Sequence, residues 1–145
     1  VSRSNYSEDG ENIGLWRANV ERTIGGKRGQ AFLREMAAAL DAMPVKELIA
    51  DDFIDENGCA CAMGAVAQAR KLEVREDLDP GEPREVADLL GISSMLAQEI
   101  AYQNDEQMRM IGGDETPAQR WQRMRSWVRD QVRSGQPNSK EQEDR

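Results

Sequence analysis

Apolar residues recur every three or four positions along most of this chain, and Gly and Pro cut that pattern into short lengths. Such a pattern folds as several short helices and leaves little room for a sheet. Ile13, Trp16, Val20 and Ile24 share one face of a first helix running from Asn12 to Ile24, stopped by Gly25-Gly26. Phe32, Leu33, Met36, Leu40 and Met43 form the stripe of a second, from Lys27 to Met43, ended by Pro44. The small residues of Ala60–Ala69 predict a tightly packed third helix reaching Lys71, where Gly64 and the alanines allow close backbone approach. Arg84–Leu90 is a short helix stopped by Gly91, and Ser93 or Ser94 caps the next, to Gln103. Thr116-Pro117 starts the last, to Arg133.

One stretch breaks the helical period. Leu48–Ile54 is β-friendly, with Ile49 and Phe53 on one face, and Asp55-Glu56-Asn57-Gly58 is a hairpin turn signal. Cys59–Cys61 is then expected to pair back. Glu73–Pro83 and Asn104–Glu115 read as polar loops. The expected fold is mainly α: a compact bundle of five to six helices with one small two-stranded β-hairpin. Residues 1–11 read as a flexible arm, 12–133 as a single helical domain and 134–145 as a disordered charged tail. Trp16, Phe32, Leu40, Cys61, Gly64, Leu90, Gly91, Ile100, Trp121 and Trp127 are expected to build the core and its turns. At 145 residues such a domain needs no disulfide or metal to hold it.

Residue types narrow the chemistry. Histidine is absent, which removes the commonest general base and the commonest metal ligand. Cys59 and Cys61, the only cysteines, supply at most two metal ligands and read as small buried thiols. Carboxylate pairs such as Asp51/Asp52 and Asp105/Glu106 read as solvated surface, and no nucleophile stands beside a base. No enzyme activity, metal or cofactor is expected. Val1–Gly10 has no apolar core of a secretory signal, and no apolar run approaches the ~20 residues of a membrane span. With free thiols, this predicts a cytoplasmic protein with no membrane partner.

Charge is unevenly distributed within a net −8. Val1–Lys46 has seven basic residues against six acidic, Glu47–Glu115 five against seventeen, and Thr116–Arg145 seven against four. The middle third repels phosphate, and Asp77, Asp79 and Glu82 are its candidate partner-binding residues. It reads either as solvated surface or as a patch for a basic groove. On the last helix Trp127, Met124, Val128, Trp121 and Val132 span an apolar arc of about 140°. Arg125, Arg129 and Arg133 lie together beside it. With Arg123 they form a second candidate docking surface, against the alternative of a basic face that is only solvated. Gly26, Lys27, Arg28 and Gly29, ahead of the second helix, are candidate anion binders, although they lack P-loop spacing.

Residues 84–104, with Leu90, Gly91, Ile92 and Ser93 at the corner, resemble a helix-turn-helix. Base reading needs cations on the second helix, whereas Ser94–Glu106 offers Gln98, Gln103 and Asn104 and no Arg or Lys. A packing corner and a nucleic-acid-binding segment are the two readings.

The runs Lys27-Arg28-Gly29-Gln30-Ala31-Phe32-Leu33, Leu40-Asp41-Ala42-Met43-Pro44 and Leu48-Ile49-Ala50 resemble a group of small bacteriophage and prophage proteins of unknown function. Cys61-Ala62-Met63-Gly64-Ala65-Val66, Asn104-Asp105-Glu106 and Glu115-Thr116-Pro117 with Arg120-Trp121 continue the likeness from Tyr6 to Val132. Cys59 and the charged tail after Gly135 depart from the group's pattern. The resemblance implies a phage accessory protein that acts inside a bacterium by binding a host protein, and it brings no catalytic residues.

Overall fold

The structure, a computed structural model, describes Arg3, residues 13–110 and residues 113–133. The flexible arm expected at 1–11, Arg3 apart, and the charged tail expected at 134–145 lie outside the described residues. The described part is mainly helical: six helices of eight residues or more and one single turn. They are α1 (Ile13–Gly25), α2 (Lys27–Ala42), α3 (Ala62–Ala69), α4 (Pro83–Leu90), α5 (Ser94–Asp105), the turn α6 (Gln107–Met110) and α7 (Pro117–Gln131).

Local chemistry sets the boundaries. Extended Gly26 starts α2, and Met43, extended ahead of Pro44, ends it. The Cys61 thiol caps α3, accepting from the Gly64 N–H at 3.4 Å. Glu82 caps α4 with Pro83 in its first turn. Gly91 ends α4 in the left-handed region at φ 74°, and the Gly91 and Ile92 N–H groups both donate to the Ala87 carbonyl. Ser93 caps α5 through the Leu96 N–H. Thr116 and Gln119 form a reciprocal capping box at the start of α7.

Two helices organise the packing. α2 lies against α1, α3 and α7, and α5 against α1, α3, α4, α6 and α7. Phe32, Leu33, Met36 and Leu40 of α2 meet Val20 and Ile24 of α1, nearly all of α3, and Leu96 and Ile100 of α5 in one core. Cys61 and Leu90 are buried there as expected, while Trp16, Trp121 and Trp127 are only partly buried and pack against its edge. Trp121 also donates from Nε1 to the Leu40 carbonyl at 3.1 Å, under the Lys46 ammonium. A Cβ at Gly64 would lie 2.2 Å from the Phe53 carbonyl oxygen, so only glycine admits α3 this close to the 48–61 segment.

The expected hairpin is absent among the described residues. A single antiparallel bridge, Ile54 to Ala60, stands in its place. The Asp55 carboxylate builds the turn by accepting from the Asn57 and Cys59 N–H groups, and Gly58 takes φ 81°. Two features stop the ladder. Asp51 sits at φ 66°, so Leu48–Ile54 is not continuously extended. On the other side Cys61 already caps α3, leaving no return strand. Cys59, expected to be buried, is exposed at the turn. The loop expected at Asn104–Glu115 is also corrected: Asn104 and Asp105 close α5 and are buried, and α6 follows.

Candidate functional site

The arginines of α7 are mostly occupied within the fold. Arg123 grips Glu115 with Nε at 2.6 Å and Nη2 at 2.9 Å, and donates to the Gln103 and Asn104 carbonyls at the end of α5. Glu115 is almost fully buried, with Arg120 Nε 3.4 Å from its other oxygen. Arg125 crosses to α2 and binds Asp41 bidentately at 2.7 and 2.8 Å. The hydrogen bond to Arg125 holds the Asp41 carboxyl below its ordinary value, and the same bond raises Arg125. The Arg133 guanidinium lies over Gly25, where a Cβ would come within 2.5 Å of Nη1, and its backbone N–H donates to Gln30 Oε1 at 2.7 Å. Arg129 is the exception, 71 % exposed with Ser126 and Asp130 as neighbours. The expected docking surface on Arg123, Arg125, Arg129 and Arg133 therefore has cations that are also engaged within the fold. Two of its cations are helix-to-helix ties, and Arg133 holds the end of α7 to the α1–α2 turn.

Gly26, Lys27, Arg28 and Gly29 border a cleft of about 320 Å³ between the α1–α2 turn and the α4–α5 corner. Arg22, Thr23, Ile92, Ser93 and Leu96 complete it. Lys27 is exposed, and Arg28 donates to the Gly91 carbonyl at 3.3 Å. Gly29 has a steric role: a Cβ there would lie 2.1 Å from the Thr23 carbonyl oxygen, so its glycine lets α2 turn back on α1.

The acidic candidates sit on the loop before α4. Asp77 is exposed and pairs with Arg75 at 3.1 Å. Asp79 accepts from the Gly81 N–H, and Glu82 accepts from the Arg84 N–H as the cap of α4. Asp79 and Glu82 thus shape the turn while their carboxylates remain exposed. Glu82, Arg84, Glu85 and Asp88 line a shallow cleft of about 560 Å³ together with Ser94 and Gln98 of α5.

The helix-turn-helix-like corner forms, with α4 and α5 joined through Gly91. Its second helix buries one face against its neighbours. Leu96, Ala97, Glu99, Ile100, Ala101, Asn104 and Asp105 are all buried. Gln103 donates to Glu99 Oε2 at 3.0 Å, and Asn104 holds the Ile49 carbonyl and the Ala62 N–H. Two of the three residues expected to meet base edges, Gln103 and Asn104, thereby bond within the fold.

Three carboxylates lie along the buried edges of the bundle, Glu99, Asp105 and Glu115, and Asp105, expected with Glu106 as solvated surface, is corrected to a buried, ion-paired group. Glu99 is bound by Arg17 of α1 at 2.9 Å. Asp105 is bound bidentately by Arg3, at 2.5 and 2.7 Å. Arg3 is 3 % exposed, so this one residue of the expected loose arm is buried in the fold. Burial opposes its charge, but the fields of Cys61 and Asp105 and its hydrogen bonds to both outweigh that, and its pKa is raised. Adjacent Asn104-Asp105 on the extended apolar face of α5 was the available signal for buried charge. No local pattern marks Arg3.

Among the described residues no group of three or more His, Cys, Asp or Glu is placed to hold a metal ion. None of their helices is long and apolar enough to cross a membrane. Compared with family models, curated proteins and solved structures, the chain matches none.

Proposed function

We propose that this chain is a non-enzymatic phage or prophage accessory protein that binds a bacterial host protein, and that it offers the acidic face at 73–88 to a basic partner surface. The resemblance in its sequence motifs supports the phage setting. The observation that carries the binding reading is an excess of exposed carboxylates over cations on one face. Glu73, Glu76, Asp77, Asp79, Glu82 and Asp88 are exposed along one loop and helix, beside Arg75 and Arg84 as the only cations of that stretch. The α7 arginines, by contrast, are largely spent on internal pairs. Complementary charge of this kind steers encounter and selects against anionic partners.

The test is a pull-down from bacterial lysate, with and without nuclease, comparing the native chain with a Glu76→Lys/Asp77→Lys/Asp88→Lys variant. These three positions carry no cap of α4. A stoichiometric protein held by the native chain in both lanes and lost from the folded variant supports the proposal. Equal recovery by the variant removes the acidic face from it. Recovery that disappears with nuclease transfers the function to nucleic acid through 84–104.

A further inference from the structure

Arg3 occupies a site built entirely by other parts of the chain. Its Nε and Nη2 donate to the two Asp105 oxygens, and Nη1 donates to the Asp52 carbonyl at 2.8 Å and reaches Cys61 Sγ at 3.5 Å. The nearest of these groups in sequence is 49 residues away. Asp105 is also held without Arg3. Its Oδ1 accepts from Asn104 Nδ2 at 2.7 Å and from the Asp51 N–H at 3.1 Å. Asn104 is fixed in turn by the Ile49 carbonyl and the Ala62 N–H. The Asp51 N–H is aimed by a left-handed backbone, φ 66°, that a residue with a side chain rarely adopts.

The acceptors therefore stand in the geometry of a guanidinium fork: two parallel bonds to one carboxylate and a third to a carbonyl. A lysine ammonium cannot reproduce that geometry. A carboxylate as buried as Asp105 is strongly disfavoured without its counter-charge, so an emptied site would draw one in. We propose that Asp105, the Asp52 carbonyl and Cys61 form an arginine socket, filled in cis by Arg3 and open to an arginine side chain of a partner protein when Arg3 withdraws. Arg3 then acts as a built-in competitor that sets a threshold for that partner. The socket lies at the end of α5 about 16 Å along its axis from Ser94, away from the acidic cleft, and does not depend on that face binding anything.

The test uses the whole chain carrying Arg3→Ala, with thermal unfolding followed against N-acetyl-arginine amide and, at equal ionic strength, N-acetyl-lysine amide. The arginine analogue is expected to raise Tm saturably, by about 5 °C at ten times its half-saturating concentration. The lysine analogue is expected to leave Tm unchanged. The native chain is expected not to respond at the same concentrations, because tethered Arg3 competes at an effective concentration in the millimolar range. Adding Asp105→Asn to Arg3→Ala is expected to abolish the response. If Arg3→Ala does not fold in buffer, the same titration is read as recovery of helical circular dichroism, and recovery with the arginine analogue alone supports the socket. A flat titration in either readout, an equal response to the lysine analogue, or a response that survives Asp105→Asn overturns it.

Discussion

Replacing Arg123 with alanine separates an internal tie from a docking residue. The side chain is 19 % exposed and its partner Glu115 only 5 %. Arg123→Ala removes a bidentate pair and two further bonds to the Gln103 and Asn104 carbonyls, which close the last turn of α5. Breaking a buried pair by deleting one partner costs about 3–5 kcal/mol. Two features reduce that here. Arg120 keeps a cation 3.4 Å from Glu115, and the Arg123 side chain is itself 19 % exposed, so its site is partly open to solvent. The expected loss is about 2–3 kcal/mol. Arg123→Lys keeps the charge and loses the fork, for about half of that. Exposed Arg129 is the control, and Arg129→Ala is expected to change stability by less than about 0.5 kcal/mol. Urea unfolding with equal m-values reads all three. Arg123→Ala within about 0.5 kcal/mol of the native chain would refute the reasoning and return Arg123 to the surface as a free cation.

Gly64→Ala should destabilise by about 2 kcal/mol in the same assay, although alanine favours a helix by about 1 kcal/mol, because the added Cβ meets a backbone oxygen and overpacks the contact. A neutral or stabilising result would show that α3 can shift away from Phe53. Glu35 and Asp41 both have carboxyls held below their ordinary values, 4.5 and 3.8, chiefly by hydrogen bonds from Arg70 and Arg125. Groups lowered on folding contribute fully above their unfolded values, and the contribution disappears as pH falls through the folded ones. Removing both arginines should therefore cost stability at neutral pH and flatten its decline below about pH 4.5. Each pair is substantially exposed, so the expected loss is about 0.2–1 kcal/mol apiece. An unchanged acid limb in the double variant would contradict the assignment.

Helix positions were legible where a start signal met an apolar stripe. Thr116-Pro117 specified the start of α7, and Leu90-Gly91 with Ser93 specified the α4–α5 corner to within a residue. Both depend on interactions within a few residues. What could not be read was which neighbour each charged edge meets. Arg123 and Arg125 are two residues apart on a helix, hence about 160° apart around its axis, and flank the α7 stripe on opposite sides. One faces the end of α5 and the other faces α2, so a wheel showing them both as polar edge cannot tell a tie from a surface. The same limit hid Asp105. Its acidity and its neighbours Asn104 and Glu106 suggest a loop, and the counter-charge that offsets its burial is Arg3, 102 residues away. The hairpin failed for a different reason: a sound turn signal at Asn57-Gly58 was followed by too few extended residues before the cap of α3.

The buried charges also explain how a chain with only two phenylalanines fixes a unique arrangement. Alanine, leucine and methionine make up most of the core around α5, beside six valines and isoleucines, and the unbranched and small residues tolerate rotation and sliding of one helix on another. The polar groups of α5 do not. Glu99 meets Arg17 of α1, Asp105 meets Arg3, Asn104 meets the 48–62 segment, and the last carbonyls of the helix meet Arg123 of α7. Each partner comes from a different part of the chain, so a shift of any one element would strand a buried charge or donor. That use of charge is selective. It consumes Glu99, Asp105 and Glu115 from the acidic middle of the sequence and most of the arginines of α7, while the carboxylates of 73–88 remain outside. Three of the six exposed carboxylates there serve the fold, Asp77 by pairing with Arg75 and Asp79 and Glu82 by shaping the turn, yet with two cations against six their mutual repulsion opposes the compact state. An oppositely charged partner surface would relieve that repulsion on binding, which is why the acidic face, rather than the arginines beside the tryptophans, is the surface to test first.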